Sequence, residues 1–217
     1  MKSRSRIGSA FVAALMFVVL ASAPVLAAST TWKVYTFNSS GRALRVQAAN
    51  VSATGAASFT FPTTADAAYL LTTKVPASGS LTATVSISGT ATFENYPGCT
   101  NSPNSPTVGL YFQTKAKGPF NPSDYWWSSN RVAVASTLSA SLTTALGDGS
   151  MWTNFYGKRG DMTGPYDVDG TTYPSPADGF RAAVANIDSW GVTFGGDCFY
   201  ANGVGTPTGS AIFTLQP

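Results

Sequence analysis

Hydrophobic and polar residues alternate along several stretches of the chain. In the longest stretch, residues 81–93, every second position is apolar except Gly89, and the positions between them are Thr or Ser. Strict alternation of this kind is typical of a β-strand that has one buried face and one face in water. The stretch therefore predicts a long, half-buried strand.

Shorter runs with the same period recur, and two further stretches are ambiguous. Residues 131–146 fit a period of two, but their last leucines also fit a helix; the Ser and Thr content favours a strand. Residues 180–187 are compatible with one short helical turn. The apolar positions of the shorter runs are Trp32 and Val34; Val108, Leu110 and Phe112; Trp190, Val192 and Phe194; and Ala211, Phe213 and Leu215.

Clusters of Gly, Pro, Asn and Asp separate these runs, and such clusters form turns. The two largest cover residues 96–106 and 158–179. The sequence shows no internal repeat, no linker and no alternation of helices with strands. The fold class predicted is all-β, an antiparallel β-sandwich in one domain, and a jelly roll is the most specific architecture that the pattern favours.

The first residues have the layout of a secretory signal peptide. Positive charges at positions 2, 4 and 6 precede the uncharged, mostly apolar residues 7–20, and small residues follow at positions 25 and 27. The alternative is an uncleaved membrane anchor, but the apolar run is short and is broken by Ser22 and Pro24. We expect cleavage after residue 27 or one residue later.

Cleavage there divides the chain into a signal peptide, 1–27, and a single β-sandwich domain, 28–217. It removes three of the thirteen basic residues and none of the ten acidic residues, so the remaining domain has no net charge. A neutral domain has no electrostatic footprint for nucleic acid. No second long apolar run exists, so we expect a secreted or periplasmic protein without stable membrane insertion.

Two cysteines, Cys99 and Cys198, remain after cleavage. Because an exported protein meets an oxidising compartment, they are expected to form one disulfide. The alternative is two free thiols.

The composition excludes several kinds of catalysis. The chain contains no histidine, which removes the usual Ser-His-Asp and Cys-His mechanisms and ordinary zinc or copper sites. Glu94 is the sole glutamate, so a pair of catalytic glutamates is impossible. We therefore assign no catalytic residue.

Clustered aromatic residues are the strongest candidates for a binding surface. Adjacent side chains of a strand point to opposite faces, so one of two neighbouring tryptophans can join the core while the other faces outward. An exposed ring can stack on a sugar ring, and the alternative is that these rings belong to the core. The candidate carbohydrate-binding residues are Tyr125, Trp126, Trp127, Trp152 and Tyr156, with Tyr111, Phe155 and Tyr200 as further contributors.

An acidic tract, Asp167-Val-Asp169-Gly170, is a weaker candidate. Its carboxylates could bind calcium, although the spacing of an EF-hand loop is absent. The alternative is a plain turn, and no other cofactor is indicated.

The last third of the chain resembles galactose-binding-like jelly rolls, a group that includes many carbohydrate-binding modules. The segments that carry the resemblance are the run from Trp190 to Tyr200, the run from Gly209 to Leu215, and the Tyr125-Trp126-Trp127 segment. The resemblance implies sugar binding at loops on one end of the sandwich, often with a structural calcium ion.

Three functions remain open. The leading hypothesis is a non-catalytic protein that binds a polysaccharide or other glycan through exposed aromatic residues. The second is a structural or adhesive surface protein without a small ligand. The third is an enzyme that acts on glycans through a pair of aspartates facing each other across a groove.

Overall fold

The structure is a computed structural model that describes residues 32–37, 43–63, 66–77, 79–95, 105–115, 118–196 and 200–217. The predicted signal peptide and both cysteines lie outside these residues. The strands are β1 Lys33–Phe37, β2 Ala43–Ala48, β3 Asn50–Val51, β4 Ala57–Thr60, β5 Tyr69–Thr72, β6 Ser80–Gly89, β7 Thr92–Asn95, β8 Thr107–Thr114, β9 Tyr125–Ala133, β10 Ser139–Ala145, β11 Trp152–Asn154, β12 Tyr166–Val168, β13 Thr171–Tyr173, β14 Ile187–Gly195, β15 Val204–Thr208 and β16 Ala211–Gln216. Two 3-10 turns, Pro122–Asp124 and Gly149–Met151, and the helix α1, Pro176–Val184, connect them.

Two antiparallel sheets form the β-sandwich that the sequence predicts. The larger has the strand order β11-β9-β8-β14-β5-β1-β2, and the smaller has the order β10-β6-β16-β4-β3. Two short ribbons, β12-β13 and β15-β7, lie outside these sheets.

Eight of the strands have jelly-roll topology. Taken in chain order they are β4, β5, β6, β8, β9, β10, β14 and β16. The first pairs with the last, β5 pairs with β14, β6 with β10, and β8 with β9. This nested pairing is a long hairpin wrapped around a core, in which most connections cross from one sheet to the other. The architecture that the alternation favoured is therefore confirmed.

The inner faces of the two sheets meet in one apolar core. Phe194 of the large sheet and Phe213 of the small sheet pack at right angles, with ring centroids 4.9 Å apart. The hydroxyls of Ser128 and Thr144 form a buried 2.7 Å hydrogen bond from one sheet to the other. The predicted inward positions of the shorter runs are all buried: Trp32, Val34, Val108, Leu110, Phe112, Trp190, Val192, Phe194, Ala211, Phe213 and Leu215.

The longest alternating run is two strands rather than one. Strand β6 ends at Gly89, and β7 leaves the sheet to pair with β15. A Cβ atom at Gly89 would lie 2.2 Å from the carbonyl oxygen of Ser210, and its φ is +146°. The gap in the apolar pattern therefore marks a close approach of two backbones, which a glycine permits.

The second ambiguous stretch is also divided. Residues 131–133 end β9 in the large sheet, and Ser139–Ala145 form β10 in the small sheet. The prediction of strand rather than helix is correct. The prediction of one continuous strand is wrong, because the chain crosses from the large sheet to the small sheet between β9 and β10.

The predicted helical turn at 180–187 is a longer helix that begins and ends earlier. The hydroxyl of Ser175 accepts a 3.1 Å hydrogen bond from the Asp178 backbone N–H, and Pro176 occupies the first turn. Both are features of a helix start. Phe180 then projects from α1 onto the end of the core, 4.9 Å from the Trp126 ring. Within the described part of the chain, no helix is long and apolar enough to cross a membrane.

Replacement of Phe213 by alanine should lower the free energy of unfolding by about 3–5 kcal/mol, because it leaves a cavity between the sheets. The neighbouring Ile212, which is 48% exposed on the outer face, is a matched control whose alanine variant should lose less than about 1 kcal/mol. Urea unfolding measures both. Equal losses would contradict the assignment of the inner face.

Candidate functional site

The outer face of the large sheet carries a group of aromatic side chains. Tyr35 on β1, Tyr69 on β5, Tyr111 on β8 and both Tyr125 and Trp127 on β9 pack against one another there, separate from the main core. Each precedes or follows a residue that points inward, so strand alternation places these rings outside.

These rings form the floor of a cleft of about 520 Å³. We call it the aromatic cleft. Its volume is within the range of small-molecule binding sites. It is lined by Lys33, Tyr35, Tyr69, Leu71, Thr72, Thr73, Tyr111, Gln113, Phe120, Tyr125, Trp127, Phe155, Asp188 and Ser189.

Trp127 is the centre of the floor. Its ring lies 5.0 Å from Tyr111 and 6.4 Å from Tyr125, to which it is nearly parallel. With 1% of its surface exposed, Trp127 supports the rings around it more than it presents its own face.

Two loops add exposed rings to the edge of the cleft. Phe120 is 50% exposed and stacks on Tyr125, with centroids 6.0 Å apart and an interplanar angle of 16°. Phe155 is 38% exposed and meets Phe120 edge to face at 4.9 Å. Exposed rings that pack on a buried aromatic floor form a rigid apolar platform.

A buried asparagine shapes the loop that carries Phe155. The side-chain oxygen of Asn154, Oδ1, accepts hydrogen bonds from the backbone N–H groups of Tyr156 and Lys158, each 3.0 Å long. Its amide nitrogen donates to the Tyr166 hydroxyl at 2.8 Å. This turn follows β11 directly, and so it fixes the position of Phe155 relative to the sheet.

Polar groups lie beside the aromatic floor. The Tyr111 hydroxyl donates a 2.7 Å hydrogen bond to Gln113 Oε1. Ser189 is 5% exposed, and its hydroxyl has no hydrogen-bond partner among the described residues. A buried hydroxyl without a partner is costly, and a ligand in the cleft would offer it one.

Burial raises the pKa of three tyrosines in the floor, Tyr69, Tyr111 and Tyr125. For Tyr111 the neighbouring Tyr69 adds to the effect, and for Tyr125 the carboxylate of Asp124 does so. These hydroxyls therefore stay protonated and can donate hydrogen bonds at neutral pH.

The opposite end of the same sheet face is closed. The guanidinium of Arg131 donates to the Thr107 hydroxyl at 2.8 Å, to the Thr193 carbonyl at 3.2 Å and to the Tyr200 carbonyl at 3.0 Å. The Tyr200 ring lies 5.0 Å from the guanidinium carbon. Burial lowers the pKa of Arg131 to about 10. Arg131 thus bonds Tyr200 to strands β8 and β14 at this end, and the aromatic cleft lies at the other end of the face.

A second cleft of about 640 Å³ lies beyond the ends of β8 and β14, between the 119–124 segment and α1. We call it the polar cleft. It is lined by Thr114, Lys115, Pro119, Asn121, Ser123, Asp124, Gly179, Ala182, Ala183, Asn186, Ile187 and Asp188.

The structure separates the predicted aromatic residues into two groups. Tyr125 and Trp127 line the aromatic cleft, and Tyr156 lies beside its edge, 5.5 Å from Phe155. Trp126 and Trp152 are fully buried in the core and are corrected to core residues. Their indole nitrogens donate to backbone carbonyls, Trp126 to Ser123 at 2.7 Å and Trp152 to Ala145 at 2.8 Å.

The acidic tract forms the turn of a hairpin. Strands β12 and β13 pair around it, and Asp169 and Gly170 have φ values of 50° and 76°. Two positive φ values are what a tight hairpin turn requires, and an Asp-Gly pair provides them. The Asp167 carboxylate accepts a 2.5 Å hydrogen bond from the Thr172 hydroxyl. Among the described residues, no group of three acidic or cysteine side chains could hold a metal ion.

Sequence reasoning missed Tyr35, Tyr69, Phe120 and Ser189. Tyr35, Tyr69 and Ser189 lie at outward positions of strands. For the two tyrosines, an aromatic residue at an outward position was a signal that the sequence offered. The contact of Phe120 with Phe155 joins residues distant in the chain, so no local signal indicates it.

No protein-family model matches the chain, and no curated protein or solved structure matches it significantly. The resemblance to galactose-binding-like jelly rolls therefore stays a prediction.

Tyrosine burial makes stability depend on alkaline pH. The pKa of Tyr111 is raised in the folded state above the value of about 10 that a free tyrosine has. The buried, protonated hydroxyl therefore contributes its full stabilisation below about pH 10, and this stabilisation is lost as the pH rises further. The melting temperature should therefore fall above about pH 10, and it should fall less steeply in the Tyr111→Phe variant. Tyr200→Phe is the control, and an equal slope in all three proteins would contradict the prediction.

Proposed function

We propose that the chain is a secreted, non-catalytic protein that binds carbohydrate in the aromatic cleft. The observation that carries the proposal is the platform of Phe120, Tyr125 and Phe155 beside the unpartnered Ser189 hydroxyl. A sugar has an apolar face of C–H groups and an edge of hydroxyls, and this cleft offers a counterpart to each.

The polar residues of the cleft suit a neutral ligand. Lys33 and Asp188 both line the cleft and carry opposite charges. Gln113 and the tyrosine hydroxyls supply uncharged donors and acceptors. A ligand rich in hydroxyls can bond to groups of this kind without bringing a charge of its own.

The structural or adhesive role is the second candidate. It is favoured by the burial of all five tryptophans, Trp32, Trp126, Trp127, Trp152 and Trp190. It is also favoured by the outer face of the small sheet, where hydroxyls pair across strands, such as Thr82 with Thr143. A purely structural role does not explain the exposed rings of the aromatic cleft, and we therefore rank it second.

The enzymatic role ranks third. Asp66 and Glu94 lie close together, since a Cβ atom at Gly205 would be 2.6 Å from Asp66 Oδ1 and 4.0 Å from Glu94 Cγ. Burial raises the pKa of Asp66, and the carboxylate of Glu94 adds to the effect. Neither lines the aromatic cleft, whose lining among the described residues contains one carboxylate, Asp188. A glycosidase needs two carboxyl groups that flank the bound sugar.

A disulfide between Cys99 and Cys198 remains part of the proposal, and the described residues that precede them support it. A Cβ atom at Gly196 would lie 3.6 Å from the Asn95 side chain. Cys198 follows Gly196 by two residues, and Cys99 follows Asn95 by four. Because Gly196 and Asn95 are neighbours in space, segments as short as these can bring the Cα atoms of Cys99 and Cys198 within the roughly 4.4–6.8 Å that a disulfide needs.

A panel of neutral oligosaccharides and polysaccharides tests the proposed function. We expect Phe155→Ala to weaken binding of the positive glycans about tenfold or more, because it removes an exposed ring of the platform. Tyr200→Ala is the matched control, since Phe155 and Tyr200 are 38% and 36% exposed and Tyr200 lies outside the cleft. Absence of binding across the panel, or equal effects of the two variants, would overturn the proposal.

Ser189→Ala sharpens the same experiment. Removal of an unpartnered buried hydroxyl should leave the stability of the free protein unchanged or slightly higher. Affinity for a positive glycan should nevertheless fall about threefold to tenfold, because one hydrogen bond to the sugar is lost. A loss of stability without a loss of affinity would show that the hydroxyl serves the fold instead.

The disulfide is tested on protein exported from a cell. Peptide mapping without reduction should yield one peptide pair joined through Cys99 and Cys198, and reduction should lower the free energy of unfolding by about 2–5 kcal/mol. The Cys99→Ser/Cys198→Ser double variant should be insensitive to the reductant. Free thiols in the exported protein would contradict the pairing.

A further inference from the structure

The aromatic cleft and the polar cleft share a rim. Asp188 lines both of them. In addition, three residues that line the aromatic cleft are each next in sequence to a residue that lines the polar cleft. Gln113, Phe120 and Tyr125 line the aromatic cleft, and their neighbours Thr114, Asn121 and Asp124 line the polar cleft. The two clefts therefore adjoin where β8 ends and where β9 and β14 begin.

The aromatic cleft is wider than one sugar. Its lining comes from five adjacent strands, β1, β5, β14, β8 and β9, which at about 4.8 Å between neighbours gives a floor roughly 19 Å across. A single sugar ring is smaller than this floor and would leave most of it uncovered.

The polar cleft contains free hydrogen-bonding groups. In the part of the chain that the structure describes, neither the Lys115 ammonium nor the Asp188 carboxylate forms an ion pair or a side-chain hydrogen bond. Ser123 lies in the same cleft. These groups can bind the hydroxyls of sugar units beyond the aromatic floor.

The charges along the two clefts balance. Lys33 and Lys115 are basic, and Asp124 and Asp188 are acidic. Such a groove has no net attraction for a polyanion, and so it fits an uncharged chain.

We infer that the two clefts form one groove that binds the interior of an uncharged polysaccharide chain. The exposed rings of Phe120 and Phe155 stack on sugar units in the aromatic cleft, and the chain continues past Asp188 into the polar cleft. This inference rests on the proposed function, and it identifies the ligand as a chain rather than a single or terminal sugar.

The length of the bound chain tests the inference. Calorimetry with cello-, xylo-, manno- and chito-oligosaccharides, from disaccharide to hexasaccharide, should show in at least one series an affinity that rises about tenfold or more with length. Hexagalacturonate, an anionic chain of the same length, should bind more weakly than the best neutral hexasaccharide.

A variant that narrows the polar cleft locates the added units. Ala182 is exposed on α1 and lines the polar cleft but not the aromatic one. Ala182→Leu should reduce affinity for the best hexasaccharide about threefold to tenfold and leave its disaccharide unchanged. Ala185→Leu, an exposed position outside both clefts, is the matched control, and Phe155→Ala should weaken every length.

The outcomes separate the two proposals. Equal affinity for all lengths, or no effect of Ala182→Leu on the hexasaccharide, overturns the groove while the proposed function stands. Tighter binding of hexagalacturonate overturns the uncharged ligand. Absence of binding in all series, at every length, overturns the groove and the carbohydrate-binding function together.

Discussion

The burial of one face of each sheet against the other is the interaction on which the rest of this structure depends. Phe194 and Phe213 meet edge to face between the sheets, and apolar side chains from eight nested strands pack around them. Hydrophobic burial of this extent is the main favourable term in folding. Because successive side chains of a strand point to opposite faces, the burial of one set of residues between the sheets also determines which residues lie on the outer faces.

The large sheet uses its second face differently from the small one. The outer face of the small sheet is covered with hydroxyls and carries no aromatic ring on β6, β10 or β16. The large sheet instead carries Tyr69, Tyr111 and Trp127, which form a second buried apolar cluster. The exposed rings of Phe120 and Phe155 lie beside this cluster, and exposed apolar rings grouped in a cleft are typical of a binding site.

The cleft also contains a local cost to folding. The Ser189 hydroxyl is buried without a partner, next to Trp190 in the core. An alanine at this position would be easier to bury. Arg131 shows the contrasting solution, since its buried guanidinium is bonded to several carbonyls and hydroxyls at the closed end of the same face. An unsatisfied hydroxyl at an open cleft fits a role in binding rather than in stability.

The sequence alone determined the fold class and most of the inward-facing positions, because the period of two is a local property of strand geometry. It also determined that Trp126 and Trp127 point to opposite faces. The tertiary structure decided which of them enters the core, that Trp152 joins it, and that Phe120 and Phe155 meet beside Tyr125. These outcomes depend on contacts between residues far apart in the chain, and nested long-range pairing leaves no local trace. The start of α1 is a different case, since Ser175 and Pro176 carry its signal in the sequence.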